Sequence, residues 1–157
     1  MSALTLSNRR WLLLESAAIW ALIALLLNLP WEIAQLPLYT IPSATNAAQV
    51  AYSIAHCTFG DVVLAAASFV IASLAMSDAD WPVSHPWFGG SIVVLLGLSY
   101  TAHSEWYSVY RAGYWGYTES MPLVFGIGLA PLLQWIFIPA CAVSIIRILR
   151  TARQISN

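Results

Sequence analysis

Four long apolar stretches constrain this chain more than any other feature, at about residues 11–29, 47–76, 88–107 and 122–146. A helix rises about 1.5 Å per residue, so roughly 20 apolar residues cross the ~30 Å hydrocarbon core of a bilayer. Each stretch is long enough, and the first can continue past Pro30 towards Gln35. Only 8% of the residues are charged and 60% are hydrophobic, against roughly 25% charged in soluble domains. A surface so poor in charge requires lipid as its solvent. The expected fold is all-α: a polytopic membrane protein forming one domain over residues 1–157, a four-transmembrane-helix bundle with an aromatic-rich outer cap. The connections between stretches are short, and no internal repeat is visible.

Arginine placement sets the expected orientation. Arg9 and Arg10 precede the first span, Arg147, Arg150 and Arg153 follow the fourth, and Arg111 alone lies in the last connection. An even number of spans puts five arginines on one side and one on the other. The positive-inside rule then places both termini in the cytoplasm. Trp11, Trp81 and Trp87 are expected to mark the cytoplasmic interface. Trp31, Tyr39, Trp106, Tyr107, Tyr110, Tyr114, Trp115 and Tyr117 crowd the other. The Arg9-Arg10 pair before an apolar run also suits an export signal, but no small-x-small cleavage site follows residue 29, so a retained span is expected. A net charge of −1 offers no field for nucleic acid. Cys57 and Cys141 lie in apolar runs without CxxC spacing and read as small buried hydrophobes.

Ionisable groups at bilayer depth are costly, by about 2.5–3.5 kcal/mol for a central charge on insertion scales, so each calls for an interior partner. Glu15, His56, Asp61, His103 and Glu105 qualify, and Gln134 adds an amide near the middle of the fourth span. Glu15 lies near the cytoplasmic interface and is expected to pair with an arginine. His56 and Asp61 stand about 140° apart on one helix, with Gly60 between them. They either line a polar cavity together or are separately satisfied, Asp61 by Gln134 or a serine. In the third span His103 and Glu105 are about 200° apart. His103 belongs with the interfacial tyrosines, whereas Glu105 shares the opposite face with Thr101 and Ser108.

The connections carry chemistry too. Glu32 and Gln35 are three apart, on one face if the first helix survives Pro30. Between residues 110 and 122, aromatics including Trp115 and Tyr117 alternate with Gly113 and Gly116, which suggests a folded cap rather than a loose tether. Pro131 and Pro139 free backbone carbonyls in the fourth span that Gln134 could satisfy.

The segments W-E-x-x-Q-x-P-x-Y (31–39), H-C-T-x-G-D (56–61), S-E-W (104–106), W-x-Y-x-x-x-M-P (115–122) and G-L-x-P-L-L-Q-W (128–135) span most of the chain from Trp31 onward. Together they resemble a group of small four-span bacterial inner-membrane proteins. The resemblance implies a bacterial membrane protein and adds weight to Glu32, Gln35, His56, Asp61 and Glu105. It implies no particular reaction, and His103 lies outside the pattern.

Three functions fit these residues. In the first, Glu32, His56 and Glu105, from three helices, converge near the outer face as a divalent-metal site (Zn²⁺, Mn²⁺ or Fe²⁺) or as an acid–base site. Asp61 would relay protons, Gln35, Trp115, Tyr117 and Gln134 would complete the pocket, and the ligand would be lipid-like. In the second, the chain is a non-catalytic accessory subunit that uses its aromatic outer face to dock a larger membrane complex, with a membrane-protein partner or as a homo-oligomer. Gly126/Gly128 and Gly89/Gly90 would offer close-packing surfaces. In the third, His56 and His103 ligate a b-type haem, which their unequal depth disfavours.

Overall fold

A computed structural model describes residues 6–41 and 46–155. It is all-α apart from one two-stranded hairpin. Helix α1 covers Leu6–Gln35, and a 3₁₀ turn Leu36–Leu38 follows it. Helix α2 covers Ala47–Met76, the short α3 covers Trp81–Ser84, and α4 covers Pro86–Trp106. A π-helical turn, Tyr107–Ala112, leads by an irregular segment to the hairpin β1 (Leu123–Val124) and β2 (Ile127–Gly128). Helix α5, Leu129–Ile155, closes the chain. The four long helices form a ring, α1 on α2, α2 on α4, α4 on α5 and α5 on α1. The start of α1, the end of α5 and the short α3 lie at one end of this ring, the terminal end; residues 36–41 and 107–128 lie at the far end.

Among the described residues, three stretches are long and apolar enough to cross a membrane: Asn8–Leu38, Ala47–Met76 and Leu129–Ala152. Helix α4 has comparable reach at 21 residues. Its last turns, however, carry Tyr100, Thr101, His103, Ser104 and Glu105, which dilute its hydropathy. Helix α1 does run through Pro30 as expected. An Asn46–Gln49 capping box starts α2, satisfying two orphan amides reciprocally. Residues 42–45 of the expected first connection lie outside the described residues, as does the Arg153 side chain.

The last helix begins later than its apolar run. Residues 122–128, expected to open the fourth span, instead form the hairpin. Phe125 (φ 51°) and Gly126 (φ 81°) occupy its turn, and positive φ at both central positions suits a tight hairpin and excludes a right-handed helix. At the other end, α5 continues through Arg147 and Arg150 because solvated arginines extend a helix without needing burial.

The core lies in the terminal half. Trp20, Phe69 and Trp81 pack ring against ring at centroid distances of 5.3–5.5 Å. Trp81 is therefore a core residue, fully buried, and not an interface marker; Trp87 (88% exposed) and Trp11 (69%) do lie at the surface. Two glycines of α4 make room for the indoles. A Cβ at Gly89 would fall 2.2 Å from Trp81 Cε3, and one at Gly97 would fall 2.0 Å from Trp135 Cε3. Gly60, by contrast, faces open space, with nothing within 4 Å of an added Cβ.

The expected outcome of Gly97→Ala is a loss of about 1–3 kcal/mol, the usual cost of overpacking. Gly60→Ala should match the wild type or exceed it slightly. Thermal unfolding in detergent, followed by tryptophan fluorescence, checks the contrast.

Candidate functional site

The polar residues of the first helix stack on one face. Asn28, Glu32 and Gln35 recur at i, i+4 and i+7, and all three are buried. Gln35 is held by its own helix: its Oε1 accepts from Trp31 Nε1 at 3.2 Å, so its Nε2 points inward and donates to Glu32 Oε1 at 2.8 Å. Opposite stands Gln134 of α5, 2% exposed. Its Nε2 lies 2.7 Å from Asn28 Oδ1, 2.7 Å from Asp61 Oδ2 and 3.2 Å from Glu32 Oε1. One amide nitrogen thus ties α1, α2 and α5 together. The expectation that Gln134 serves carbonyls freed by the prolines is replaced by this hub.

Asp61 sits at the middle of α2, the third side chain on the Gln134 nitrogen. Glu105 approaches from α4, buried together with Thr101 and Ser108 as the face assignment requires, while His103 is exposed. The phenol of Tyr117 donates to Glu105 Oε2 at 2.6 Å. Tyr39 also lies against this carboxyl, and the indole Nε1 of Trp115 faces it without reaching hydrogen-bond geometry. The loop that carries Trp115 and Tyr117 is pinned to residues 38–40: Thr40 N donates to Gly116 O at 2.9 Å, Gly116 N to Thr40 Oγ1 at 2.8 Å, and Thr118 N to Leu38 O at 3.0 Å. Burial and the Glu105 carboxyl hold the Tyr117 phenol above its ordinary pKa, and burial with the Glu105 charge does the same for Tyr39. Both stay protonated donors at neutral pH.

Beside this network lies a cavity of about 330 Å³ lined by Glu32, Gln35, His56, Asp61, Glu105, Trp115 and Gln134. Tyr117, expected in the pocket, holds Glu105 without itself lining the cavity. The exposed lining residues of the cavity are His56 and Gly60 on α2, Tyr100 on α4, Tyr107 just beyond α4, and Tyr114. The mouth therefore lies along the α2–α4 seam. Among the described residues, none of the three carboxylates forms an ion pair. The ion pairs present, Arg150–Asp80 at 3.0 Å and His85–Asp78 at 3.9 Å, lie at the terminal end.

Several expectations need correction. His56 is exposed and stacks on Tyr52, with ring centroids 5.7 Å apart, instead of turning inward beside Glu32 and Glu105. Among the described residues no group of three His, Cys, Asp or Glu side chains is placed to hold a metal ion, so the Glu32–His56–Glu105 metal triad is not assembled. Nor is a haem pair, since His103 does not line the cavity. Glu15 is exposed and forms no ion pair among the described residues; Arg9 donates instead to Ser77 O. Asn28 was missed, although its spacing from Glu32 and Gln35 was there to be read. No protein-family model, no curated protein and no solved structure matches the chain.

Removing the amide hub by Gln134→Leu leaves Asn28, Glu32 and Asp61 short of donors. The variant should lose about 1–3 kcal/mol for each buried group left unpaired, visible as a clear drop in melting temperature. Gln134→Glu, which keeps the size but not the donor, should be no more stable than Gln134→Leu.

Proposed function

We propose that this chain is a four-span bacterial inner-membrane protein, both termini cytoplasmic, that binds an amphiphilic ligand in a cavity near the outer face. The observation that carries the reading is the ~330 Å³ cavity between the helices, into which carboxyls converge from α1, α2 and α4, with Glu32 and Glu105 buried and Asp61 half-buried. Its size falls in the range of small-molecule sites. Ionisable groups within a membrane bundle mark ligand or ion pathways by default.

The α4 helix serves as the remaining span. At 21 residues it covers about 30 Å, and it stands in the same ring as the three more apolar helices. Its polar last turns face the cavity and the outer headgroups. The arginine bias of five to one supports cytoplasmic termini. In this orientation residues 36–41 and 107–128 form an aromatic cap on the periplasmic side, and the mouth between α2 and α4 opens towards the outer leaflet. An alkyl chain can enter from there while its headgroup reaches Glu105 and Asp61. The motifs that resemble the small inner-membrane family support membership of it, because Glu32, Gln35, His56, Asp61, Glu105, Trp115 and Gln134 represent all five motifs and line one cavity.

Two measurements test this. With Cys57 and Cys141 changed to serine, a cysteine placed at Glu119 should react with a membrane-impermeant maleimide in intact spheroplasts, and one placed at Thr151 should not. The opposite labelling would invert the protein. Gly60→Trp should plug the mouth without disturbing the core, since nothing lies within 4 Å of that site. Native mass spectrometry should then show amphiphile adducts on the wild type and few or none on the variant. Equal adducts on both, or none on either, would remove the cavity from consideration as a ligand site.

A further inference from the structure

We infer that the cavity selects a protonated primary amine, presented as the headgroup of an amphiphile. This rests on the ligand-binding reading above and names the chemistry of what binds. The argument begins with donors and acceptors. Glu32, Asp61 and Glu105 bring six carboxyl oxygens to the cavity. The Nε2 group of Gln134 has two hydrogens and three oxygens within 3.2 Å, Gln35 supplies one bond to Glu32, Tyr117 supplies one to Glu105, and Tyr39 and the Trp115 indole N–H lie against the same carboxyl. With about four acceptor positions on each carboxylate, acceptors still exceed donors. An alkylammonium carries three donors and no acceptor, so it supplies what the lining lacks.

Charge points the same way. No arginine lines the cavity. Arg111 is engaged over the Trp106 ring at 5.5 Å and is not a lining residue. His56, the lining imidazole, is exposed at the mouth against Tyr52. An anionic headgroup would meet three acids and no built counter-charge. A bare metal ion is disfavoured by the absence, among the described residues, of a three-ligand grouping. The walls add a further preference: Tyr39, Tyr100, Tyr107, Tyr114 and Trp115 line the same space, and aromatic faces attract organic cations. The acids sit deep and the exposed tyrosines sit at the mouth. A cationic head followed by an apolar tail matches that order.

The test uses the full chain in phosphatidylcholine nanodiscs, with binding of n-hexylammonium, 1-hexanol, hexanoate and methylammonium measured by calorimetry. Hexylammonium should bind at least about tenfold tighter than hexanol, and hexanoate more weakly than either. Methylammonium should be weaker than hexylammonium; equal affinity would keep the ammonium site but overturn the amphiphile. Glu105→Gln should weaken hexylammonium by about fivefold or more and leave hexanol unchanged. Asp61→Asn, which keeps a side chain of the same size beside Gln134, should do the same, so that misfolding of one variant does not decide the question. If hexanol binds as tightly as hexylammonium, the cation preference is wrong and the cavity remains a ligand site. If none of the four binds, both readings fall together.

Discussion

A single buried amide organises the polar half of this molecule. Hydrocarbon offers no water to satisfy an acid or an amide, so every such group must find its partner within the protein. Gln134 answers for three helices at once: Asn28 and Glu32 on α1 and Asp61 on α2 meet on its nitrogen. Helices whose outer surfaces are uniformly apolar can slide or rotate against one another at little cost. Convergence on one amide removes that freedom, because a rotation of α1 or α2 would strand a carboxyl. The same contact fixes the depth at which the cavity floor lies.

The two halves of the bundle solve different problems. In the terminal half, indoles fill the space, and the glycines of α4 let Trp81 and Trp135 lie directly on its backbone. Phe69 and Trp81 are fully buried there. In the far half the helices leave a gap that aromatic and polar side chains line without filling. The loop over it is held by backbone hydrogen bonds between residues 38–40 and 116–118. A hydrogen-bonded floor at Gln134, a pinned loop above it and exposed lining residues along the α2–α4 seam leave the cavity open at the side of the bundle.

Much of the helical layout was legible in the sequence because it depends on length and angle alone. Helix α2 follows its apolar run, α1 survives Pro30, and the 200° between His103 and Glu105 correctly separated an exposed imidazole from a buried acid. Side chains whose fate depends on a neighbour were not legible. Trp81 reads as an interface residue until Gly89 is seen beside it. His56 reads as an interior ligand, yet a stack on Tyr52, one turn away on its own helix, keeps it at the surface. The hairpin at 122–128 was hidden inside an apolar run, since hydropathy does not register a left-handed turn at Phe125 and Gly126. Gln134 was singled out with Asp61 as a candidate partner, and that bond is present; its other two partners, Asn28 and Glu32, follow from helix rotation that no single sequence displays. Asn28 was readable and passed over: its i, i+4, i+7 relation to Glu32 and Gln35 is as regular as any in the chain.

Cys57 provides the most direct test of the central claim, that an acidic cavity opens beside α2. Its thiol lines the cavity and, with Cys141 changed to serine, is the sole cysteine in the chain. The rate of its modification by trimethylammonioethyl methanethiosulfonate should exceed that by sulfonatoethyl methanethiosulfonate by at least about tenfold relative to their rates with a free thiol, because neighbouring carboxyls attract one reagent and repel the other. Equal relative rates, or a faster reaction with the anionic reagent, would contradict an acidic interior. Complete inertness to both reagents would mean that no accessible cavity exists at Cys57.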